Sequence, residues 1–401
     1  MAAITGIGIV SPHGDDPHSM FDALLRGESA VRPVFPELAR PAAAATVTFD
    51  VERWFTKLQL PGVDRVSQLA VAAASLALRD AAITQLADPL RVGVYVGCGM
   101  GGAAALEAAY ASGAKSGRIP PLTVPAFMPN APAAHVAMRH GITGPVLTYS
   151  IACASSAVAL AEAAKALRHG DVDVAIAGGS EALIVPGVVQ AWQALQTLAS
   201  FAPGEAATCC RPFAAERSGF VLGEGAAFVV MESDARVRAR GARIYARLAG
   251  MGIGCDAVHL TKPDVGGQQR VLAQALRDAG LEPGDVGYCN AHGTATRIGD
   301  VVECQALRAV WGEAIGGLQV SSTKALHGHL LGAAGALEAV ITVLALQRRE
   351  LPPNMHALAI DAECAVPLVH AGATAAPLLR AAISSSFAFG GTNVVLAFTR
   401  D

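Results

Sequence analysis

The chain has 401 residues, of which 52% are hydrophobic and 16% charged, and 30 Lys and Arg against 33 Asp and Glu leave a formal net charge of −3. With no long basic run, that balance excludes bulk attraction to nucleic acid or to a membrane surface, and no stretch approaches the roughly 18 uninterrupted apolar residues of a membrane span. So long a chain outgrows a single hydrophobic core, which predicts two structural halves.

The first segment, Ile4-Thr5-Gly6-Ile7-Gly8-Ile9-Val10, reads as a strand, and with the first basic residue at Arg26 no signal or transit peptide is expected. A helix ending Ala77-Leu78-Arg79-Asp80-Ala81-Ala82-Ile83 is followed by an apolar strand from Val92 to Val96. Next, Pro145 to Ile151 forms a β-type run, and a helix of small residues begins Ala154-Ser155-Ser156-Ala157-Val158. Cys153 lies between them, at a helix start, where unpaired N–H groups and the helix dipole favour a thiolate by roughly 0.3–1 kcal/mol. Such a site makes a nucleophile, although a buried free cysteine elsewhere is a small hydrophobe. The eight cysteines contain no C-x-x-C pair and no Cys/His metal spacing, so reduced thiols in a cytoplasmic protein and no metal site are expected.

Past residue 235 the pattern recurs. Leu248-Ala249-Gly250-Met251-Gly252 matches the first strand, Ala275-Leu276-Arg277-Asp278-Ala279-Gly280-Leu281 matches the first helix, and Phe389-Gly390-Gly391-Thr392 matches Ala177-Gly178-Gly179-Ser180. The matches keep their order, which predicts a duplicated fold with halves 1–235 and 236–401 joined through the polar segment 233–241. Alternation of strands with helices of ten or more residues argues for parallel sheets covered on both faces, two of them stacked through shared helices.

In the second half two strand-to-helix turns carry histidine. One is Asn290-Ala291-His292-Gly293-Thr294-Ala295-Thr296; the other runs from Val320 through Lys324, His327 and His329 into a helix predicted from Leu330 to Arg349. Ligands favour the carboxyl ends of parallel strands, so two such turns opposite Cys153 form a Cys/His/His constellation.

These residues carry a family resemblance. The chain resembles the elongating β-ketoacyl-acyl carrier protein synthases of the thiolase superfamily, through Ala152-Cys153-Ala154-Ser155-Ser156, Gly178-Gly179-Ser180-Glu181, Arg211-Pro212-Phe213, Gly219 to Gly225, Asn290 to Asp300, Ser322 to Gly335 and Ser386 to Asn393. The resemblance implies a layered α/β/α/β/α sandwich built from duplicated βαβ halves, and an acyltransferase that performs decarboxylative Claisen condensation of malonyl carrier protein with an acyl group held on Cys153. It further implies enolate stabilisation by neutral His292 and His329, support from Lys324, and an oxyanion hole from the backbone N–H groups of Cys153 and Phe389. Lys324 and Glu338 would form a buried pair near His329, Asp300 and Glu303 would cap a helix or anchor the catalytic loops, and Thr294 and Thr296 would bind the pantetheine amides. Met100 matches the floor of the acyl tunnel, Phe127 lies in the segment through which the neighbouring subunit would close it, and Phe389 matches the gate; Lys57, Arg65 and Arg211 are the candidate carrier-protein contacts. No cofactor is implied beyond the substrates' phosphopantetheine, and the partners are an acyl carrier protein and an identical or ketosynthase-like second subunit.

The chain departs from the family pattern at Ala214 and Ser218, where acids are usual, at Arg297 in place of a proline, and at His327 in place of a threonine. The reacting groups are untouched, which leaves open fatty-acid synthesis or a specialised polyketide or polyene pathway. A non-catalytic chain-length subunit would have lost the nucleophile, and a cysteine hydrolase needs neither two enolate-stabilising histidines nor a tunnel.

Overall fold

A computed structural model describes residues 2–370, 372 and 374–400. Its central feature is a ten-stranded mixed sheet. In chain order the strands are β1 (Ala2–Val10), β2 (Val92–Gly97), β3 (Val146–Tyr149), β4 (Val174–Glu181) and β5 (Gly225–Glu232), then β6 (Ala246–Cys255), β7 (Val286–Asn290), β8 (Gln319–Ser321), β9 (Ala381–Phe387) and β10 (Thr392–Thr399). Across the sheet they run 8-7-9-10-6-1-5-4-2-3. Read outward from the centre, 1-5-4-2-3 and 6-10-9-7-8 are the same path walked twice.

The pairings repeat as well. β1–β5 and β5–β4 are antiparallel while β4–β2 and β2–β3 are parallel, and β6–β10, β10–β9, β9–β7 and β7–β8 follow the same sequence. The expectation of parallel sheets is therefore corrected: each half is mixed, because its last strand, β5 or β10, runs antiparallel to both of its neighbours. The two half-sheets are also joined edge to edge, through Ala2↔Leu248, Ala3↔Arg247 and Ile4↔Ala246.

Six helices repeat with the strands: α1 (Arg65–Asp80), α2 (Ala131–His140) and α3 (Ser155–His169), matched by α4 (Val265–Ala279), α5 (Arg297–Trp311) and α6 (Ala334–Arg348). α1 and α2 cover the outer face of the first half-sheet, α4 and α5 that of the second, and α3 and α6 lie between the two. This is the α/β/α/β/α layering. Helix α1 settles directly on β1 because a Cβ at Gly8 would lie 2.2 Å from the Ala73 carbonyl oxygen, and Gly252 plays the same part under α4, 2.0 Å from that of Val271. Asp80 and Asp278 then each accept a strand N–H, from Ile7 and Met251, both at 2.9 Å.

Residues 331–348 are long and apolar enough to cross a membrane by composition, but they are 89% buried between the layers and form the core. Helix α6 begins at Ala334, later than the predicted Leu330, because a 3₁₀ turn at Leu331–Ala333 precedes it.

Candidate active site

Three turns at the carboxyl ends of β3, β7 and β8 converge. Cys153 stands just before α3, whose first turn sits against strand glycines: a Cβ at Gly97 would fall 2.1 Å from the Ser156 nitrogen and one at Gly179 2.6 Å from the Ser156 Cβ. Only small residues fit there, which is why the helix opens Ser155-Ser156-Ala157. Ala152, at φ 43°, turns the chain sharply and presents the cysteine.

The Cys153 sulfur lies 3.0 Å from Nε2 of His329, and its sulfur and one ring nitrogen each from His292 and His329 all fall within 4.8 Å of one another. The two imidazoles meet edge to face at 5.5 Å. Both are buried, and burial, reinforced by the positive charge of Lys324, holds them well below the ordinary histidine pKa, so both are neutral.

The same burial corrects the expectation of a ready thiolate. Desolvation pushes the Cys153 thiol up to about 12, against the opposing pull of Lys324 and of the Phe389 N–H that faces the sulfur. The helix start is outweighed. In the free protein Cys153 is a thiol, and the neighbouring imidazole is the group placed to take its proton.

Lys324 is fully buried rather than an exposed flank, paired with the equally buried Glu338 of α6. Burial raises the Glu338 carboxyl to about 7, opposed by Lys324. Glu303 accepts the backbone N–H groups of His292 and Gly293 at 2.8 and 2.7 Å, and Asp300 accepts that of Phe213 at 2.8 Å. Both acids thus hold loops. Ser322 Oγ ties the two histidine turns together by donating to the Gly293 carbonyl at 2.6 Å.

His327 is turned away: its Nδ1 bonds the Gly328 carbonyl at 2.7 Å, its Nε2 the Thr323 hydroxyl at 2.9 Å, and burial lowers its pKa to about 3.

A cavity of about 540 Å³ contains Cys153, His292, His329, Thr294, Thr296 and Phe389 together. The two threonine hydroxyls are 3.1 Å apart. Phe389 is followed by Gly390 and Gly391 at φ 90° and 78°, a turn open to glycine, and its ring stacks on Trp192 at 6.2 Å. Trp192 meets Phe220 edge to face, and Phe220 meets His329 likewise at 5.4 Å. No sequence motif marks Trp192; Phe220 sits inside the quoted Gly219 to Gly225 segment. Glu181 was quoted only within a motif, yet it is fully buried and accepts N–H groups from Gly99 at 2.8 Å and Gly332 at 2.9 Å.

Met100, Phe127, Arg65 and Arg211 lie outside the cavity of the single chain. Met100 is 52% exposed, and neither it nor Phe127 lines the cavity; the segment after Met100 is tied to Phe127 by the Gly102 N–H, which donates to the Phe127 carbonyl at 3.2 Å. Arg65 binds both oxygens of the buried Glu224, at 2.7 and 2.9 Å, and Arg211 donates to the Thr208 carbonyl at 2.9 Å. A buried carboxylate requires a cation, and Arg65 meets that need. Lys57 remains exposed.

One sulfur and two imidazoles are also a donor set that zinc accepts. Here the sulfur and the His329 nitrogen already share a hydrogen bond, and the adjoining cavity with a facing N–H is what acyl transfer requires.

Comparison with known proteins agrees with this geometry. Residues 2–236 match "Beta-ketoacyl synthase, N-terminal domain" and residues 245–358 match "Beta-ketoacyl synthase, C-terminal domain". The chain is 37% identical to 3-oxoacyl-[acyl-carrier-protein] synthase 2 of Staphylococcus aureus over 98% of this chain and 100% of that protein. It is 40% identical to nodulation protein E of Rhizobium meliloti, over 98% of each. Its fold superposes with TM-score 0.91 and 28% identity, over 100% of this chain and 99% of the other, on a structure of a type II polyketide acyl carrier protein with its ketosynthase bound to a hexaketide.

Proposed function

The chain belongs to the β-ketoacyl synthase family, and we propose that Cys153, His292 and His329 carry out its condensation in two half-reactions. The protein is a β-ketoacyl-acyl carrier protein synthase, an acyltransferase. In the first half-reaction the Cys153 sulfur attacks an acyl thioester on the carrier's phosphopantetheine arm while its proton passes to Nε2 of His329. The resulting oxyanion is held by the N–H groups of Cys153 and Phe389. Collapse breaks the bond to the pantetheine sulfur, which leaves with the proton.

In the second half-reaction a malonyl thioester loses carbon dioxide, and the electron pair of the broken C–C bond becomes an enolate. Neutral His292 donates to the enolate oxygen. Once acylated, Cys153 holds no proton; His329, left with its hydrogen on Nδ1 by the first half-reaction, exchanges protons with solvent to the tautomer protonated at Nε2 and is then the second donor. The enolate carbon attacks the acyl carbonyl, the C–S bond breaks with its electron pair going to the Cys153 sulfur, which takes up a proton from solvent, and the chain leaves two carbons longer. Lys324 keeps both rings neutral, and no further cofactor is needed.

The 3.0 Å contact between the Cys153 sulfur and His329 Nε2, inside the cavity, carries this reading. A chain-length subunit without catalysis has no use for it. Intact-mass analysis after incubation with acyl carrier thioesters tests it: Cys153 gains the acyl mass and Cys153→Ala does not. Loading in that variant refutes the assignment.

A second subunit, identical or a ketosynthase-like paralogue, is proposed to cover the face around Met100, where Tyr110, Leu122, Val124, Met138 and Leu147 are also exposed. Strand β3 ends the sheet there with an unpaired edge. Light scattering should give a dimer. Seven of the eight free cysteines are buried, which suits a cytoplasmic setting.

A further inference from the structure

The chemistry above leaves two stretches of the cavity wall unused, residues 259–263 and the start of α5 at 296–299. His259, Lys262 and Arg297 are exposed while Cys153 is buried, so these stretches form the mouth. Among the described residues that line the cavity, none is acidic. Asp256 and Asp264, the nearest acids in the loop, are spent: Asp256 accepts from Asn393 and from the Asp264 N–H, and Asp264 from the Gly267 N–H.

The frame around the two cations is fixed while their charged ends are free. Arg217 donates to the carbonyls of Thr296 at 3.0 Å and Arg297 at 2.6 Å, and is itself held by Asp361 at 2.6 Å. On the other side, the Gly390 N–H donates to the Leu260 carbonyl at 2.7 Å, which ties the Lys262 loop to the Phe389 turn. Neither the Arg297 guanidinium nor the Lys262 ammonium has an ion-pair or hydrogen-bond partner among the described residues. Deeper in the same cavity, Gln268 is 1% exposed and its Oε1 has no partner. A buried amide oxygen without a donor marks a wall built for a hydrogen-bonding guest.

Resting on the ketosynthase reading, we propose that Lys262 and Arg297 clamp the phosphodiester of the carrier protein's phosphopantetheine arm, while Gln268 receives an amide of that arm farther in. Arginine offers a planar fork that matches phosphate, and lysine adds a second positive charge across the mouth.

Octanoyl-pantetheine, octanoyl-coenzyme A and the octanoyl carrier protein separate the contributions, with the rate of Cys153 loading followed by intact mass. Wild-type protein should load from the carrier fastest and from pantetheine slowest, and added salt should slow only the two phosphate-bearing donors. In the double variant Lys262→Ala/Arg297→Ala, loading from both phosphate-bearing donors should fall roughly tenfold or more, and loading from octanoyl-pantetheine should stay as in wild type. An equal fall for all three donors, or no fall, overturns the clamp. Faster loading from coenzyme A than from the carrier overturns the carrier as its source. Failure of wild type to load from any donor, pantetheine included, refutes instead the reading of Cys153 as acyl acceptor.

Discussion

The turns after β3 and β8 occupy equivalent places in the two halves, and they have become different things. After β3 the chain takes a sharp step at Ala152 and delivers Cys153 almost at once to α3. After β8 it buries Lys324, His327 and His329 and makes a 3₁₀ turn before α6 begins. The strands beneath are paired alike, and Gly8 with Asp80 is echoed by Gly252 with Asp278. A duplicated frame thus tolerates divergence in its loops because each half-sheet closes its hydrogen bonds without them. In the proposed reaction one half supplies the nucleophile, and the other supplies the neutral donors and the buried cation beside them.

Removing one side of this pairing should have the largest effect. Cys153→Ala should abolish acyl loading, a loss of roughly a thousandfold or more. His292→Ala should separate the halves differently: octanoyl loading of Cys153 persists, while carbon dioxide release from malonyl carrier protein falls by roughly 10²–10⁴. Equal loss of both activities would place His292 in the first step as well.

Glu338→Leu leaves the Lys324 ammonium buried without its partner and should cost about 3–5 kcal/mol in denaturant unfolding, much of which Lys324→Met/Glu338→Leu recovers. In the double variant the cation that depresses His292 and His329 is gone, so their pKa values rise and the acid limb of the condensation profile moves to higher pH.

The frame itself offers the next comparison. Asp278→Asn and Asp80→Asn each weaken a strand-to-helix tie and should each cost about 1–3 kcal/mol, since Asp80 also receives Arg243 and Tyr245 and Asp278 also receives Arg168.

The effect that vanishes at neutral pH is on acid stability. His327 is held neutral, with its pKa depressed from 6.5 to about 3. Unfolded chain takes up that proton first as pH falls, so stability is complete above about 6.5 and declines between there and 3, by at most about 1.4 kcal/mol per pH unit. His327→Gln should flatten that slope in urea titrations.

Cys153, His292 and His329 were legible from their turns, and the halves from matched segments such as Ala77–Asp80 and Ala275–Asp278, because turn chemistry and helical period are written locally in the chain. The ordinary-looking Trp192 was not legible, since its role is a stacking contact with Phe389, nearly two hundred residues away in the chain. Burial was equally hidden: it made Cys153 a thiol, enclosed Lys324 with Glu338, and left Met100 outside the cavity. The pairing of Arg65 with the buried Glu224, 159 residues away in the chain, was likewise invisible in the sequence. By itself the sequence determined which groups are proposed to react and the repeated order of the elements that carry them. The tertiary structure decided their protonation and their reach, because solvent exclusion and long-range charge exist only once distant segments have packed together.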